Sequence, residues 1–196
     1  RTWQIRHVGS AIACVDTWRV FSRGSQAVDH KKKGPRPAGD GGGPALPHSI
    51  ETALGLAPAA NLALISCPGA YAGAEAMKAL RLGLDVMLFS DNVSLEDEVA
   101  LKTLGDEMGR LVMGSDCGTA IINGVPLGFA NVVRRGTIGL VAASGTGLQQ
   151  VSCLIDALGG GISQAIGTGG RDLKSEVGGR DMIQGLRALA EDPGTE

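Results

Sequence analysis

Apolar and polar positions follow two alternating patterns along the chain from residue 49 onward. Short apolar runs end in turn sequences, as residues 61–66 end at Cys67-Pro68-Gly69. Helix-length segments, with apolar positions three or four residues apart, follow these runs. Buried strands that alternate with helices in this way form parallel sheets with right-handed crossovers. The pattern therefore predicts an α/β fold.

The first series of elements ends near residue 113. Its strands and its first helix are predicted, in chain order, at residues 61–66, 71–82, 85–90 and 110–113. A second helix is predicted to begin after Ser94, because Ser94 and Asp97 have the spacing of a capping box. We expect its apolar stripe to consist of Leu95, Val99, Leu104 and Met108.

A second series begins at Gly136, with strands predicted at residues 138–143 and 162–166. The helix between them carries an apolar face of Leu148, Val151, Leu154, Ile155 and Leu158. The last helix carries Met182, Ile183, Leu186 and Leu189. Because the two series break near residues 120–136, we interpret the chain as two incomplete α/β units.

Composition separates the first part of the chain from the rest. Residues 1–48 hold 8 Lys and Arg against 3 Asp and Glu, whereas residues 49–196 hold 10 against 17. The lysine run at residues 31–33 and the glycines at 41–43 offer little apolar surface to offset the entropy of ordering. Three interpretations of residues 1–46 stay open: a disordered basic arm, a non-native segment outside the natural coding frame, or a small subdomain.

Several function classes are excluded by composition. No apolar stretch approaches the roughly 18 residues that a membrane-spanning helix needs. Aromatic residues make up only 3%, which argues against a nucleic-acid binder that works by stacking. The four cysteines have neither metal-ligand nor disulfide spacing, so we expect free thiols, no metal and a cytoplasmic location. Residues 49–196 contain no histidine, so a histidine-based mechanism needs residues from elsewhere.

The loop Ser144, Gly145, Thr146 and Gly147 is the sharpest candidate for chemistry. Ligands of open α/β sheets bind outside the carboxyl ends of the strands, and this loop follows a predicted strand there. A small hydroxyl-bearing loop at a helix N-terminus offers main-chain N–H groups and a positive dipole end to an anion. The alternative is a tight turn in which Ser144 or Thr146 caps the helix without a ligand. The lysine of a P-loop is absent.

Two further loops at strand ends are candidates. A reactive thiol is one interpretation of the loop Asp116, Cys117 and Gly118. No His or Lys lies beside Cys117 in the sequence to lower the thiol pKa, however, which favours an inert cysteine. Gly169, Gly170 and Arg171 are a possible second anion loop with Arg171 as a bidentate clamp, or else a solvated turn.

Five segments together carry motifs that resemble one family. They are Ser66-Cys67-Pro68-Gly69, Ser90-Asp91-Asn92-Val93-Ser94, Gly114-Ser115-Asp116-Cys117-Gly118, Ala143-Ser144-Gly145-Thr146-Gly147 and Gly167-Thr168-Gly169-Gly170-Arg171-Asp172. With them the chain resembles the FdrA family over residues 47–196, whereas residues 1–46 are not covered. FdrA proteins look like acyl-CoA synthetases and are similar to the alpha subunit of succinyl-CoA synthetase.

The resemblance implies a two-part layout. Residues 47–130 would be the C-terminal half of a Rossmann-like CoA-binding domain, and residues 131–196 the first part of a flavodoxin-like ligase domain. The loop Ser90, Asp91 and Asn92 would contact CoA, and Asp116, Cys117 and Gly118 would lie near the reacting centre. The helix that begins at Ser144 would point its N-terminus at a phosphoryl group carried on a histidine.

Three departures from the family pattern bear on activity. The glycine-rich phosphate loop that opens a CoA domain has no match before residue 50. The phosphohistidine of the ligase pattern would lie beyond Glu196, so the catalytic residue is not in this chain. Ser115 stands where the FdrA pattern has proline, which we expect to loosen the turn. We therefore expect the chain alone to be inactive.

The resemblance leaves three functions open for the whole protein. The first is acid–CoA ligation, with CoA, an acyl phosphate and a nucleotide bound on a partner subunit or a missing C-terminal domain. The second is a subunit of oxamate carbamoyltransferase in anaerobic allantoin breakdown, which would handle carbamoyl phosphate. The third is a non-catalytic scaffold subunit. None of the three involves a membrane or nucleic acid.

Overall fold

Helices and strands alternate through most of the computed structural model, which describes residues 10–14, 18–22 and 47–196 of the chain. The strands are β1 (Ser10–Cys14), β2 (Trp18–Ser22), β3 (Leu62–Ile65), β4 (Asp85–Leu88), β5 (Val112–Met113), β6 (Thr119–Ile122), β7 (Val125–Gly128), β8 (Arg135–Ala142) and β9 (Ile162–Gly167). The helices are α1 (Ile50–Leu56), α2 (Gly69–Arg81), α3 (Leu95–Met108), α4 (Gly145–Ala157) and α5 (Arg180–Glu191). Both predicted series of alternating elements are present. None of these helices is long and apolar enough to cross a membrane.

The first sheet has the strand order β2-β1-β3-β4-β5. Strands β1, β3, β4 and β5 pair in parallel, and for β3, β4 and β5 this is the arrangement that the sequence pattern predicts for buried apolar strands joined by helices. Helix α2 faces the core with small side chains at Ala72, Ala76 and Ala79, all fully buried. These small residues let α2 lie close to the sheet and to α3, where Gly73 packs against Asp97.

Two strands lie in the segment for which the sequence analysis assigned no regular element. Strand β1 pairs in parallel with β3, and β2 pairs antiparallel with β1. The edge of β3 that faces away from β4 offers main-chain groups that β1 satisfies. Strands over residues 10–14 and 18–22 are not what the interpretation as a disordered arm predicts, and the other two interpretations of this segment stay open. The remainder of that segment lies outside the described residues.

The second sheet has the order β7-β6-β9-β8, in which β8 and β9 are parallel and β6 is antiparallel to both β7 and β9. Strands β6 and β7 form a hairpin whose turn residues, Asn123 and Gly124, both have positive φ. Asn-Gly between apolar runs is a strong sequence signal for such a hairpin. Because the hairpin belongs to the second sheet, the chain passes from the first sheet to the second between Met113 and Thr119.

The starts of α3 and α4 are as predicted, but their buried faces are not. The Ser94 hydroxyl caps α3 by accepting from the N–H of Asp97. The fully buried residues of α3, however, are Glu98, Leu101, Lys102 and Gly105, not the predicted apolar stripe. In α4 only Leu148 of the predicted face is fully buried, while Val151, Leu154 and Leu158 are exposed. Contacts between distant segments, described below, decide which face of α3 is covered.

Candidate functional site

The loops after β3, β4 and β5 meet at the carboxyl edge of the first sheet. The Ser90 hydroxyl donates a hydrogen bond to the carbonyl of Cys67 at 2.6 Å and accepts one from the Cys67 N–H at 3.1 Å. The N–H of Asp116 donates to the carbonyl of Ser90 at 3.0 Å. The side chain of Ser90 is therefore committed to the fold, whereas Asp91 and Asn92 beside it are exposed.

The loops of the second sheet adjoin the same edge. Gln149 of α4 donates a hydrogen bond to the Thr119 hydroxyl at 2.8 Å, and a Cβ added at Gly145 would lie 3.2 Å from that hydroxyl. A Cβ at Gly167 would overlap with the carbonyl oxygen of Thr119. The start of β6 thus lies between the N-terminus of α4 and the end of β9. The five loops singled out from the sequence form one continuous series of contacts.

The N-terminus of α4 combines a cap with free donors. The Ser144 hydroxyl accepts a hydrogen bond from the N–H of Gly147 at 3.1 Å, as expected of an N-cap. The N–H groups of Gly145 and Thr146 have no acceptor among the described residues. The capping and anion-binding interpretations are therefore compatible, because the cap uses one N–H and leaves two at the positive end of the helix.

Arg171 is committed to neighbouring loops. Its Nη2 atom donates to the carbonyl of Val93 and to the Ser115 hydroxyl, both at 2.7 Å, and forms an ion pair with Glu98 Oε2 at 2.7 Å. A guanidinium binds an anion in a bidentate way through two parallel N–H donors on one of its edges. In this conformation Nη2 is used by contacts within the protein, and the assignment of Arg171 as an anion clamp stays a prediction.

Ser115 does not loosen its turn. The residue is buried, and its hydroxyl donates to Glu98 Oε2 at 2.9 Å while accepting from Arg171. A side chain held between a carboxylate and a guanidinium fixes the loop that a proline would otherwise stiffen. These contacts argue against a looser turn at this position.

Cys117 lies on the buried side of the same loop. Burial raises the pKa of its thiol to about 11, so the thiolate is scarce at neutral pH. Its Sγ lies 3.4 Å from the carbonyl oxygen of Gly167 and 3.6 Å from that of Thr119. This environment agrees with the inert thiol favoured by the sequence.

A buried group of charges behind these loops was not predicted. Lys102 Nζ donates hydrogen bonds to the carbonyl of Thr168 at 3.0 Å and to Asp172 Oδ1 at 2.9 Å. It also lies 2.9 Å from Asp181 Oδ2 and 3.3 Å from Glu98 Oε1. We call Glu98, Lys102, Asp172 and Asp181 the charge cluster. The spacing of Glu98 and Lys102, four residues apart on one helix, was the available signal.

The charge cluster also begins helix α5. Asp172 accepts hydrogen bonds from the N–H of Asp181 at 3.2 Å and from the N–H of Met182 at 3.0 Å. Gly179, at the N-cap position, supplies no side chain for this purpose. The carboxylate of Asp172 therefore caps α5 from a distance along the chain and joins it to α3 through Lys102.

Burial and the neighbouring charges shift the pKa values of two members of the cluster. Burial alone lowers the pKa of Lys102, but the carboxyl groups of Asp181 and Asp172 outweigh it, and the pKa is raised above its ordinary value. Burial raises the pKa of Asp181 well above its usual range, against the attraction of Lys102. With Arg171 included, two cations face three carboxyl groups, and Asp181 is the carboxyl group among them whose pKa is raised.

Asp181→Asn should become relatively more stabilising as the pH rises. Because folding raises the pKa of Asp181, its contribution is complete below the unfolded pKa and is lost as the pH rises toward the folded one. Asparagine mimics the protonated form and does not titrate. We expect the difference in unfolding free energy, variant minus wild type, to increase with pH by at most about 1.4 kcal/mol per unit. Urea unfolding of both proteins across the acidic to neutral range tests this, and parallel curves would contradict it.

The chain is similar in sequence to several ligase subunits and to one further protein. No family model matches it. The uncharacterized protein YahF of Escherichia coli (strain K12) is 59% identical over 139 residues, which are 71% of this chain and 27% of YahF. Subunit alpha 2 of the ADP-forming succinate–CoA ligase of Archaeoglobus fulgidus is 28% identical over 141 residues. That match covers 70% of this chain and 48% of the subunit. The chain thus spans about a quarter to a half of these relatives.

Solved structures share the fold at low identity. ATP citrate lyase from Methanothrix soehngenii, in complex with citrate and coenzyme A, matches 76% of this chain and 26% of its own chain, with a TM-score of 0.66 and 17% identity. The dinucleotide-forming acetyl-coenzyme A synthetase 1 of Ca. Korarchaeum cryptofilum matches 69% and 30%, with a TM-score of 0.53 and 17% identity. These matches confirm the predicted α/β class with its parallel, Rossmann-like sheet. The chain is homologous, over about 70% of its length, to the alpha subunits of succinate–CoA ligases.

Proposed function

We propose that this chain is the CoA- and phosphate-handling part of an FdrA-type acid–CoA ligase. The homology to succinate–CoA ligase alpha subunits supports a CoA-binding, ligase-like role. The observation that carries the proposal is the pair of uncommitted N–H groups of Gly145 and Thr146 at the N-terminus of α4. They lie on the same series of loop contacts as Asp91 and Asn92.

CoA would be held at the loop after β4. Ser90 gives this loop its shape, and Asp91 and Asn92 present the exposed polar groups that a ligand can reach. Gly69 lets the N-terminus of α2 press against that loop, because a Cβ there would overlap with the main chain of Asp91 and Asn92. The residues therefore fit a ligand that lies across the strand ends. When bound, CoA supplies the thiol that accepts the acyl group.

The phosphate of an acyl phosphate would be held at α4. Two main-chain N–H groups and the positive end of a helix of 13 residues favour an anion there, and the Thr146 hydroxyl is exposed beside them. Asp116, Cys117 and Gly118 would border this position. Cys117 is not proposed as a nucleophile, because its thiol is buried and largely protonated. A histidine and a nucleotide would come from a partner subunit or another domain.

A thermal-shift titration of the chain with CoA, inorganic phosphate and carbamoyl phosphate in separate series tests this proposal. A ligand that binds only the folded state stabilises it by about 2.7 kcal/mol at 100 times its dissociation constant. We expect CoA and phosphate to raise the unfolding midpoint. In Gly145→Val the phosphate effect should be lost, because the added side chain covers the N–H groups and presses on Thr119. The matched control is Gly55→Val, where a Cβ meets nothing within 4 Å.

The other functions predict different outcomes of the same titration. A shift with carbamoyl phosphate beyond that with phosphate, and none with CoA, would favour the carbamoyltransferase. No shift with any of the three would favour a scaffold subunit and contradict the proposal. Equal protection of Gly145→Val and wild type by phosphate would contradict the assignment of the anion to α4.

A further inference from the structure

One carboxylate lies where loops of both sheets meet. Glu98 is a helical residue with a side chain that is only 1% exposed. Its Oε2 accepts a hydrogen bond from Ser115, in the loop after β5, and pairs with Arg171, in the loop after β9. Its Oε1 lies 3.3 Å from Lys102. A single buried group therefore connects two loops that belong to different sheets.

Arg171 brings a third loop into the same arrangement. The nitrogen that pairs with Glu98 also donates to the carbonyl of Val93, directly after the exposed pair Asp91 and Asn92. Glycine packing brings the loops closer still, because a Cβ at Gly169 would overlap with the carbonyl oxygen of Ser115. The loops after β4, β5 and β9 thus share one hydrogen-bonded and ion-paired junction.

We propose that Glu98 and Arg171 are positioning residues, which hold these three loops at the spacing that the ligand site requires. They act through Ser115 and the carbonyl of Val93, and Arg171 does not serve as the anion clamp. The part of this inference that concerns ligand affinity rests on the proposed function. The arrangement of the loops can be tested without any ligand.

Glu98→Gln is a suitable variant because it leaves the other charged side chains behind the loops in place. Lys102 keeps its ion pairs with Asp172 and Asp181. The glutamine has the size of the glutamate, and its amide can retain one hydrogen bond. The ion pair with Arg171, however, is lost. We therefore expect a folded protein whose loops are held less firmly.

Cys117 reports on the spacing of the loops. Its side chain is buried between the loops after β5 and β9, with its Sγ 3.4 Å from the carbonyl oxygen of Gly167. Separation of these loops would expose the thiol, while unfolding of the whole chain would expose every cysteine. Alkylation at each cysteine can be measured separately by peptide mass spectrometry.

The first experiment measures the iodoacetamide reaction of Cys117 well below the unfolding midpoint. In Glu98→Gln and Arg171→Met we expect the rate at Cys117 to rise about tenfold or more, because local opening then costs less free energy. The matched control is Arg134→Met, since Arg134 forms an exposed pair with Asp156. It should leave the rate unchanged. Ser115→Ala is a further variant should Arg171→Met fail to fold.

The second experiment measures dissociation constants for CoA and for inorganic phosphate by calorimetry. In Glu98→Gln and Arg171→Met we expect the constant for CoA to rise about tenfold. The double variant should bind no more weakly than Arg171→Met alone, because the two residues act through one contact. Additive losses would contradict a shared positioning role.

The two experiments separate failure of the inference from failure of the proposed function. If wild type binds neither CoA nor phosphate, the proposed function is wrong, and the Cys117 rate still decides whether the loops are held by Glu98. If the variants melt earlier but keep the wild-type Cys117 rate and affinities, the contact is structural only and the inference is overturned.

Discussion

Lys102→Met is expected to lower the free energy of unfolding by about 3–5 kcal/mol, the loss usual when one partner of a buried ion pair is removed. Lys102 is 1% exposed, and carboxyl oxygens of Glu98, Asp172 and Asp181 lie 2.9–3.3 Å from its Nζ atom. Methionine has a similar length but no charge, so the variant leaves three buried carboxyl groups with Arg171 as their remaining cation.

The matched control for this variant is Lys78→Met. Lys78 forms a salt bridge with Glu75 one turn earlier on α2, with 53% of its side chain exposed. An exposed pair of this kind contributes about 0–1 kcal/mol. Chemical denaturation of wild type and both variants at neutral pH provides the measurement. A loss for Lys102→Met no larger than that for Lys78→Met would show that the cluster does not stabilise the fold.

Gly169→Ala is expected to cost about 2–5 kcal/mol through overpacking and backbone strain together. Gly169 has φ of +83° and is buried, and an added Cβ would overlap with the carbonyl oxygen of Ser115. The alanine can be accommodated only if the loop after β9 moves away from the loop after β5. We therefore also expect faster alkylation of Cys117 in this variant.

The adjacent glycine provides an internal comparison. Gly170 is exposed, and a Cβ there would meet nothing within 4 Å. Gly170→Ala should lie within about 1 kcal/mol of wild type, with a small gain from the lower entropy of the unfolded chain. Equal unfolding free energies for the two variants, measured side by side by urea denaturation, would contradict the close packing of these loops.

Local signals in the sequence were sufficient for much of the fold. The apolar runs of β3, β4 and β9 and the hydroxyls of Ser94 and Ser144 act over a few neighbouring residues, so their outcome does not depend on distant parts of the chain. The Asn123-Gly124 turn was equally local, and the hairpin was missed because this signal was not used.

The candidate site was predictable only in part. The position of its loops followed from the rule that strand ends share one edge of a sheet, and the structure brings those loops together. The partners of individual side chains did not follow. Arg171 could be assigned to an anion or to solvent from sequence, but its actual partners, Glu98 and Val93, lie more than 70 residues earlier.

The sequence by itself determined the α/β class, the order of most elements and the starts of two helices, because these depend on periodicity and on caps within a few residues. Only the tertiary structure decided which face of α3 is buried. Charged residues are buried on α3 in place of the predicted apolar stripe. Lys102 can be buried there because it pairs with Asp172, in the loop after β9, and with Asp181, in α5. A buried charge is stable only with such partners, and a helix examined alone does not reveal them.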